Sequence, residues 1–168
     1  MIDKLERIIF YFEGTCEFCL GNLGIDKYRK EIDSYIEKLD DFSDDIKLRI
    51  FYASAVIEYK LDKYEPAFEH WQKALTYAES VDDRLYIGKI YSNYAIYYYI
   101  QKDKPQEQHY FKEAERIFRE HQQYGDLATH YINILWFKRY ERDSREAIEY
   151  MDKALYYVQL SDSKKNAR

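Results

Sequence analysis

The stretch Ala67-Phe68-Glu69-His70-Trp71-Gln72-Lys73-Ala74-Leu75-Thr76-Tyr77-Ala78 decides the fold. Its small and apolar positions are Ala67, Trp71, Ala74, Leu75 and Ala78, at offsets 0, 4, 7, 8 and 11, which trace one face of an α-helix. Eighty residues further on stand Ala147, Met151, Ala154, Leu155 and Val158, matching in kind at all five positions. A step of 40 gives Glu107, Phe111, Ala114, Glu115 and Phe118, matching at three. The chain therefore repeats every 40 residues, with a degenerate middle copy. Alanine at the centre of the face lets a neighbouring helix come close. The large residue three positions earlier fills the space beside it.

A first helix precedes each such stripe, at about 46–61, 84–101 and 125–141. These helices are apolar over much of their surface, as in Ile50, Phe51, Ala55, Ile57 and Leu61, and so are expected to lie between neighbours. Asp62-Lys63, Lys102-Asp103-Lys104 and Arg142-Asp143 read as short joints that force antiparallel pairs. Ser80-Val81-Asp82-Asp83 and His121-Gln122-Gln123 read as longer joints between repeats. Pro66 and Pro105 fall in first turns of second helices, where a missing N–H costs little. Residues 1–42 read as a divergent first unit, with Gly14 and Gly21 seven apart and a stripe of Ile25, Tyr28, Ile32, Tyr35, Ile36 and Leu39. The acidic run Asp40–Asp45 is then a joint. The expectation is one all-α domain over 1–168, a right-handed α-solenoid of antiparallel helix pairs. Its units are about 1–42, 46–80, 84–120 and 125–160, followed by a polar tail at 161–168.

Bulk composition agrees with this reading. Five Gly and two Pro are too few for the turns of an all-β fold. Apolar residues at 46% and charged residues at 34% fit a soluble globular chain. A net charge of −5, with no basic block except Lys164-Lys165, argues against direct nucleic-acid binding. No apolar run is long enough for a membrane span, and residues 1–20 lack the pattern of a secretion signal. Two cysteines without such a signal place the chain in the reducing cytoplasm. Twenty tyrosines suit a binding surface, and equally a compositional bias shared with Ile and Lys.

The alanine-large-alanine pattern of Ala67, Trp71, Ala74 and of Ala147, Met151, Ala154 resembles the tetratricopeptide repeat. Ala55 and Ala95 stand where that family wants a small residue in the first helix. Glu107, Leu135 and Ser34 depart from its pattern. The resemblance covers about 5–160. The stretch Glu113–Tyr124 and the segment Phe12–Glu17 are further similar to the repeats of bacterial Rap and PlcR-type peptide-pheromone regulators. That resemblance implies a regulator that binds a short peptide in a concave groove. It also raises phosphatase activity on a response regulator, which needs an additional helical bundle. The sequence reads as starting within the repeats, without that bundle or a DNA-binding helix-turn-helix.

In a solenoid the first helices line the concave side. That face is expected to carry Asn93 and Asn133, 40 apart, with Arg49, Tyr52, Val56, Tyr59, Lys89, Ile96, Tyr99, Ile132, Trp136 and Arg139. An amide offers a donor and an acceptor, so two can hold a peptide backbone without reading its side chains. In the peptide-binding relatives, groove asparagines are implied to do this. Local backbone or solvent contacts for the asparagines, and inter-repeat packing for the aromatics, are the competing roles.

No catalytic motif stands out. Cys16 and Cys19 lack the further ligands zinc needs and read as core. His70, His109, His121 and His130 form no metal-binding pair, and no phosphate-binding glycine motif occurs. The expected function is a non-enzymatic peptide- or protein-binding scaffold without a cofactor or metal. A self-associating assembly subunit is the alternative, because the array shows no evident capping helix near 160.

Overall fold

A computed structural model describes residues 1–14, 25–138 and 144–166. Among these residues the structure is all-helical, with eight α-helices, one 3-10 turn at Leu39–Asp41 and no strand. The helices are α1 (Ile2–Gly14), α2 (Ile25–Ile36), α3 (Asp44–Lys60), α4 (Tyr64–Ser80), α5 (Arg84–Ile100), α6 (Lys104–Glu120), α7 (Tyr124–Lys138) and α8 (Ser144–Asn166). The adjacent pairs α3–α4, α5–α6 and α7–α8 pack together. Two compact units result, Met1–Asp83 and Arg84–Arg168.

Four helices in a row, α3 to α6, are each 17 residues long. Each is followed by three residues, and the middle one has a left-handed backbone: Asp62 (φ 58°), Asp82 (53°), Lys102 (61°) and Gln122 (52°). The hydrogen bonds are the same each time. Lys63, Asp83, Asp103 and Gln123 donate their N–H to the carbonyls of Glu58, Ala78, Tyr98 and Phe118, five residues back. Asp62, Asp82, Lys102 and Gln122 donate to the carbonyls three back. This is the Schellman closure, which satisfies the last carbonyls of a helix. The joints expected to differ in length are therefore one and the same turn. Val81 and His121 are caps of the preceding helices, not extra linker. No glycine marks these turns, so their left-handed residue has no signature in the sequence.

Unit 1 is built around α3, which contacts α1, α2 and α4. It is buried on every side from Ile50 to Glu58, as its all-round apolar sequence predicts. On α4 the residues Ala67, Trp71, Ala74 and Ala78 are buried, and on α1 so are Leu5, Ile8, Ile9 and Phe12. Trp71 is the largest fully buried side chain of the chain's described core. The Glu58 carboxylate is buried but neutralised, with Arg29 Nη2 at 3.2 Å and Lys63 Nζ at 3.3 Å. The acidic run is divided. Leu39–Asp41 is the 3-10 turn, and Asp44 and Asp45 open α3, where carboxylates suit the helix dipole.

Unit 2 repeats the scheme with α5 to α8. Ala114, Ile117 and Phe118 of α6 are buried together with Leu127, Ala128 and Tyr131 of α7 and Ala154 and Tyr157 of α8. Tyrosine rings fill much of the packing. Tyr98 stacks on Tyr110 with centroids 5.5 Å apart, and Tyr131 stacks on Tyr157 at 5.9 Å. The last copy of the alanine stripe departs from expectation: Ala154 is buried, whereas Met151, Leu155 and Val158 are exposed. Helix α8 also runs to Asn166, through the tail expected from 161. Cys16, Cys19, Gly21 and the Arg142-Asp143 joint lie outside the described residues.

Gly88 of α5 allows α6 to come close. A Cβ there would stand 2.7 Å from Phe118 Cε1 and 3.2 Å from Ile117 Cγ2. Phe118 is itself only 1% exposed, so it has little room to yield. Alanine favours helices by about 1 kcal/mol over glycine, yet overpacking a tight core costs roughly 1–3 kcal/mol. Gly88→Ala is therefore expected to lower stability by about 1 kcal/mol in urea unfolding, and a stabilised variant would contradict this packing. At the left-handed turn residue, Lys102→Gly is expected to raise stability by roughly 0.5–1 kcal/mol by the same measurement.

Candidate functional site

The two asparagines expected on one face both lie in unit 2, Asn93 on α5 and Asn133 on α7. Two contacts pin α5 against α7. Lys89 Nζ lies 3.8 Å from Asp126 Oδ1, and Ser92 Oγ lies 2.7 Å from His130 Nδ1. Each helix advances about one turn between these contacts, so the two helices run in the same direction. Asn93 is adjacent to Ser92 on α5, and Asn133 is one turn beyond His130 on α7. Both side chains are half-buried. An axial offset of two residues and one interhelical spacing separate their helix positions by about 10 Å.

The charged pair at one end is partly withdrawn from water. Burial pushes the Asp126 carboxyl above its ordinary range, while Lys89 pulls it down. The Lys89 ammonium also lies 5.5 Å from the centroid of the Tyr86 ring. Tyr99, near the other end of α5, is half-buried. Ile132 and Trp136 of α7 are 48% and 54% exposed. A hollow of about 310 Å³ lies apart from the asparagines, at the α6–α7 turn, with Gln122, Asp126, Ser161 and Lys164 among its lining.

The residues predicted from unit 1 are placed differently. Tyr52 is only 1% exposed, and its hydroxyl donates to Glu13 Oε1 at 2.6 Å. Arg49 donates to Glu6 Oε1 at 2.6 Å and to the Asp45 carboxylate. Both side chains thus tie α3 to α1. Tyr59 is half-buried, with its ring 5.8 Å from those of Tyr64 and Trp71. Val56 and Ile96, also expected on an open face, are buried. The helical wheel placed these positions correctly on α3 and α5 but could not show which neighbours cover them. Arg139 lies outside the described residues.

Sequence reasoning missed Asp126, Ser92 and His130, which set the spacing of α5 and α7. Their separations of 37 and 38 residues fall just short of the repeat, so periodicity gave no signal. His130 is 2% exposed, with its ring 4.3 Å from that of Phe111. Its Nε2 has no hydrogen-bond partner among the described residues. Burial pushes the imidazole down to about 4, with the Glu115 carboxylate pulling weakly the other way. His70, held 2.8 Å from Ser54 Oγ by Nδ1, is lowered for the same main reason.

Among the described residues no cluster of His, Cys, Asp or Glu could hold a metal ion. None of their helices is long and apolar enough to cross a membrane.

The sign of the His130 effect is fixed by its lowered value in the folded state. The unfolded chain, with an imidazole near its ordinary value of about 6.5, binds the proton more readily. Stability is then full above that value and is lost as the pH falls from about 6.5 toward 4. Between pH 7.5 and 5.0 the native chain should lose about 2 kcal/mol that a His130→Gln variant keeps. Urea unfolding at both pH values checks this, and identical pH dependence in the two proteins would refute it.

Residues 48–120, from within α3 to the end of α6, match the family model described as tetratricopeptide repeat. No curated protein and no solved structure matches the chain. Such repeats generally mediate protein–protein interaction, and they act as binding scaffolds rather than catalysts. The match identifies tetratricopeptide repeats within residues 48–120, and the helix pairs α3–α4 and α5–α6 that span them agree with it.

Proposed function

We propose that the chain is a peptide-binding scaffold whose α5–α7 face holds an extended segment of a partner. The observation that carries this reading is the pair Asn93 and Asn133, one repeat apart on adjacent helices held in fixed spacing by Lys89–Asp126 and Ser92–His130. An extended peptide advances about 3.3 Å per residue, so amides about 10 Å apart meet backbone groups three residues apart. Each amide can donate to a carbonyl and accept from an N–H. Tyr99 and Trp136 supply apolar contact at one end of the segment.

The resemblance of Glu113–Tyr124 to the Rap and PlcR-type repeats favours a short peptide and a bacterial regulatory setting in the cytoplasm. The chain in this reading needs no cofactor and performs no chemistry on what it binds.

Affinity capture from the native cell, followed by mass spectrometry, tests the proposal. The chain and its Asn93→Ala/Asn133→Ala variant are compared as bait. The variant is expected to keep its helicity and melting temperature and to lose at least 90% of the specifically captured peptide or protein. Equal capture by both baits would remove the asparagines from the site.

A further inference from the structure

Helix α7 shows how one helix covers the pair before it. Its His130 bonds Ser92 of α5, and the His130 and Tyr131 rings lie 4.3 and 5.8 Å from Phe111 of α6. Phe118 of α6 is packed against the same imidazole at 6.0 Å. Moving each covered position forward by one repeat gives the outer face of α7–α8. Ser92, 7% exposed, becomes Ile132 at 48%, and Ile96, 4% exposed, becomes Trp136 at 54%. Phe118, 1% exposed, becomes Val158 at 40%, and half-buried Phe111 becomes Met151 at 45%. Leu155 and Ile148 complete the face at 56% and 51%. This surface has the composition of the interface α7 makes on its other side, yet no helix among the described residues lies on it.

On α8 the steps from Ile148 to Met151, Leu155 and Val158 are three, four and three residues. That spacing is the seam of two helices packed along each other. With Ile132 and Trp136, six large apolar side chains stand 40–56% exposed, an area on the order of 550 Å² per copy. Two such faces bury roughly 1,100 Å², above the roughly 1,000 Å² that a specific interface needs. A two-fold contact sets the same stripe against itself and closes.

We propose that the α7–α8 face is the contact surface of a homodimer, occupied by the same face of a second copy. This surface adjoins the one assigned to Asn93 and Asn133 and shares Ile132 and Trp136 with it, so dimerisation takes those side chains out of peptide contact.

Sedimentation equilibrium of the full chain over a range reaching about 100 µM tests the oligomer directly. The native chain is expected to be a dimer at the upper end, and Met151→Glu/Leu155→Glu to be a monomer with unchanged circular dichroism. Lys112→Glu, an exposed change on α6, should remain dimeric. A native chain that stays monomeric throughout would overturn the proposal and leave this face to a helix of another protein. A dimer that survives the double substitution would overturn it by placing the contact elsewhere. Should the double variant lose its helicity, the single Leu155→Glu, at the most exposed seam position, gives the same reading through weakened dimerisation.

Discussion

The left-handed residue in each three-residue turn sets the rhythm of this protein. A helix of 17 residues plus a turn of three makes 20, and two such steps make the 40-residue repeat. The turn closes by satisfying the last carbonyls of one helix, and its third residue accepts the first bond of the next in α4, α6 and α7. Within each unit helix length and phase are thus locked together. The cost of holding Asp, Lys or Gln in the left-handed region is about 1–2 kcal/mol per turn, offset by the backbone bonds of the closure.

That rhythm lets small residues sit where they matter. Ala67, Ala74 and Ala78 are fully buried on α4, and Gly88 on α5 lies where even a methyl group would meet Phe118. Close approach then brings polar groups into the interior, where each must find a partner. Ser54 meets His70, and Ser92 meets His130. Glu58 is held between Arg29 and Lys63. In unit 2 these buried polar contacts do more than satisfy one another. They fix the offset between α5 and α7, and so the spacing of the two asparagines on which the proposed binding face depends.

Two surfaces of unit 2 therefore come from one construction principle with different endings. Where a helix follows, as α7 follows α5 and α6, large apolar residues become core. On α7–α8 the equivalent residues stay exposed, so residue type alone cannot separate core from contact surface. Trp71 and Met151 occupy the same place in the repeat, yet one is 2% exposed and the other 45%. The difference lies in what lies next to the helix, which is a property of the assembled unit.

The sequence by itself determined the helices, their pairing and the 40-residue period, because the spacing of Ala67, Trp71 and Ala74 and its recurrence are local facts. It also put Asn93 and Asn133 at equivalent positions. It did not reveal the equal turns, since Asp62, Asp82, Lys102 and Gln122 adopt a backbone that their side chains do not announce. Only the tertiary structure decided that Tyr52 and Arg49 are engaged by Glu13 and Glu6, and that Ser92 and His130 join α5 to α7. Those contacts link residues 38 to 43 apart, between side chains whose meeting depends on helix rotation and offset. A periodic pattern fixes which face a residue occupies; packing fixes whether that face meets water, a carboxylate or another helix.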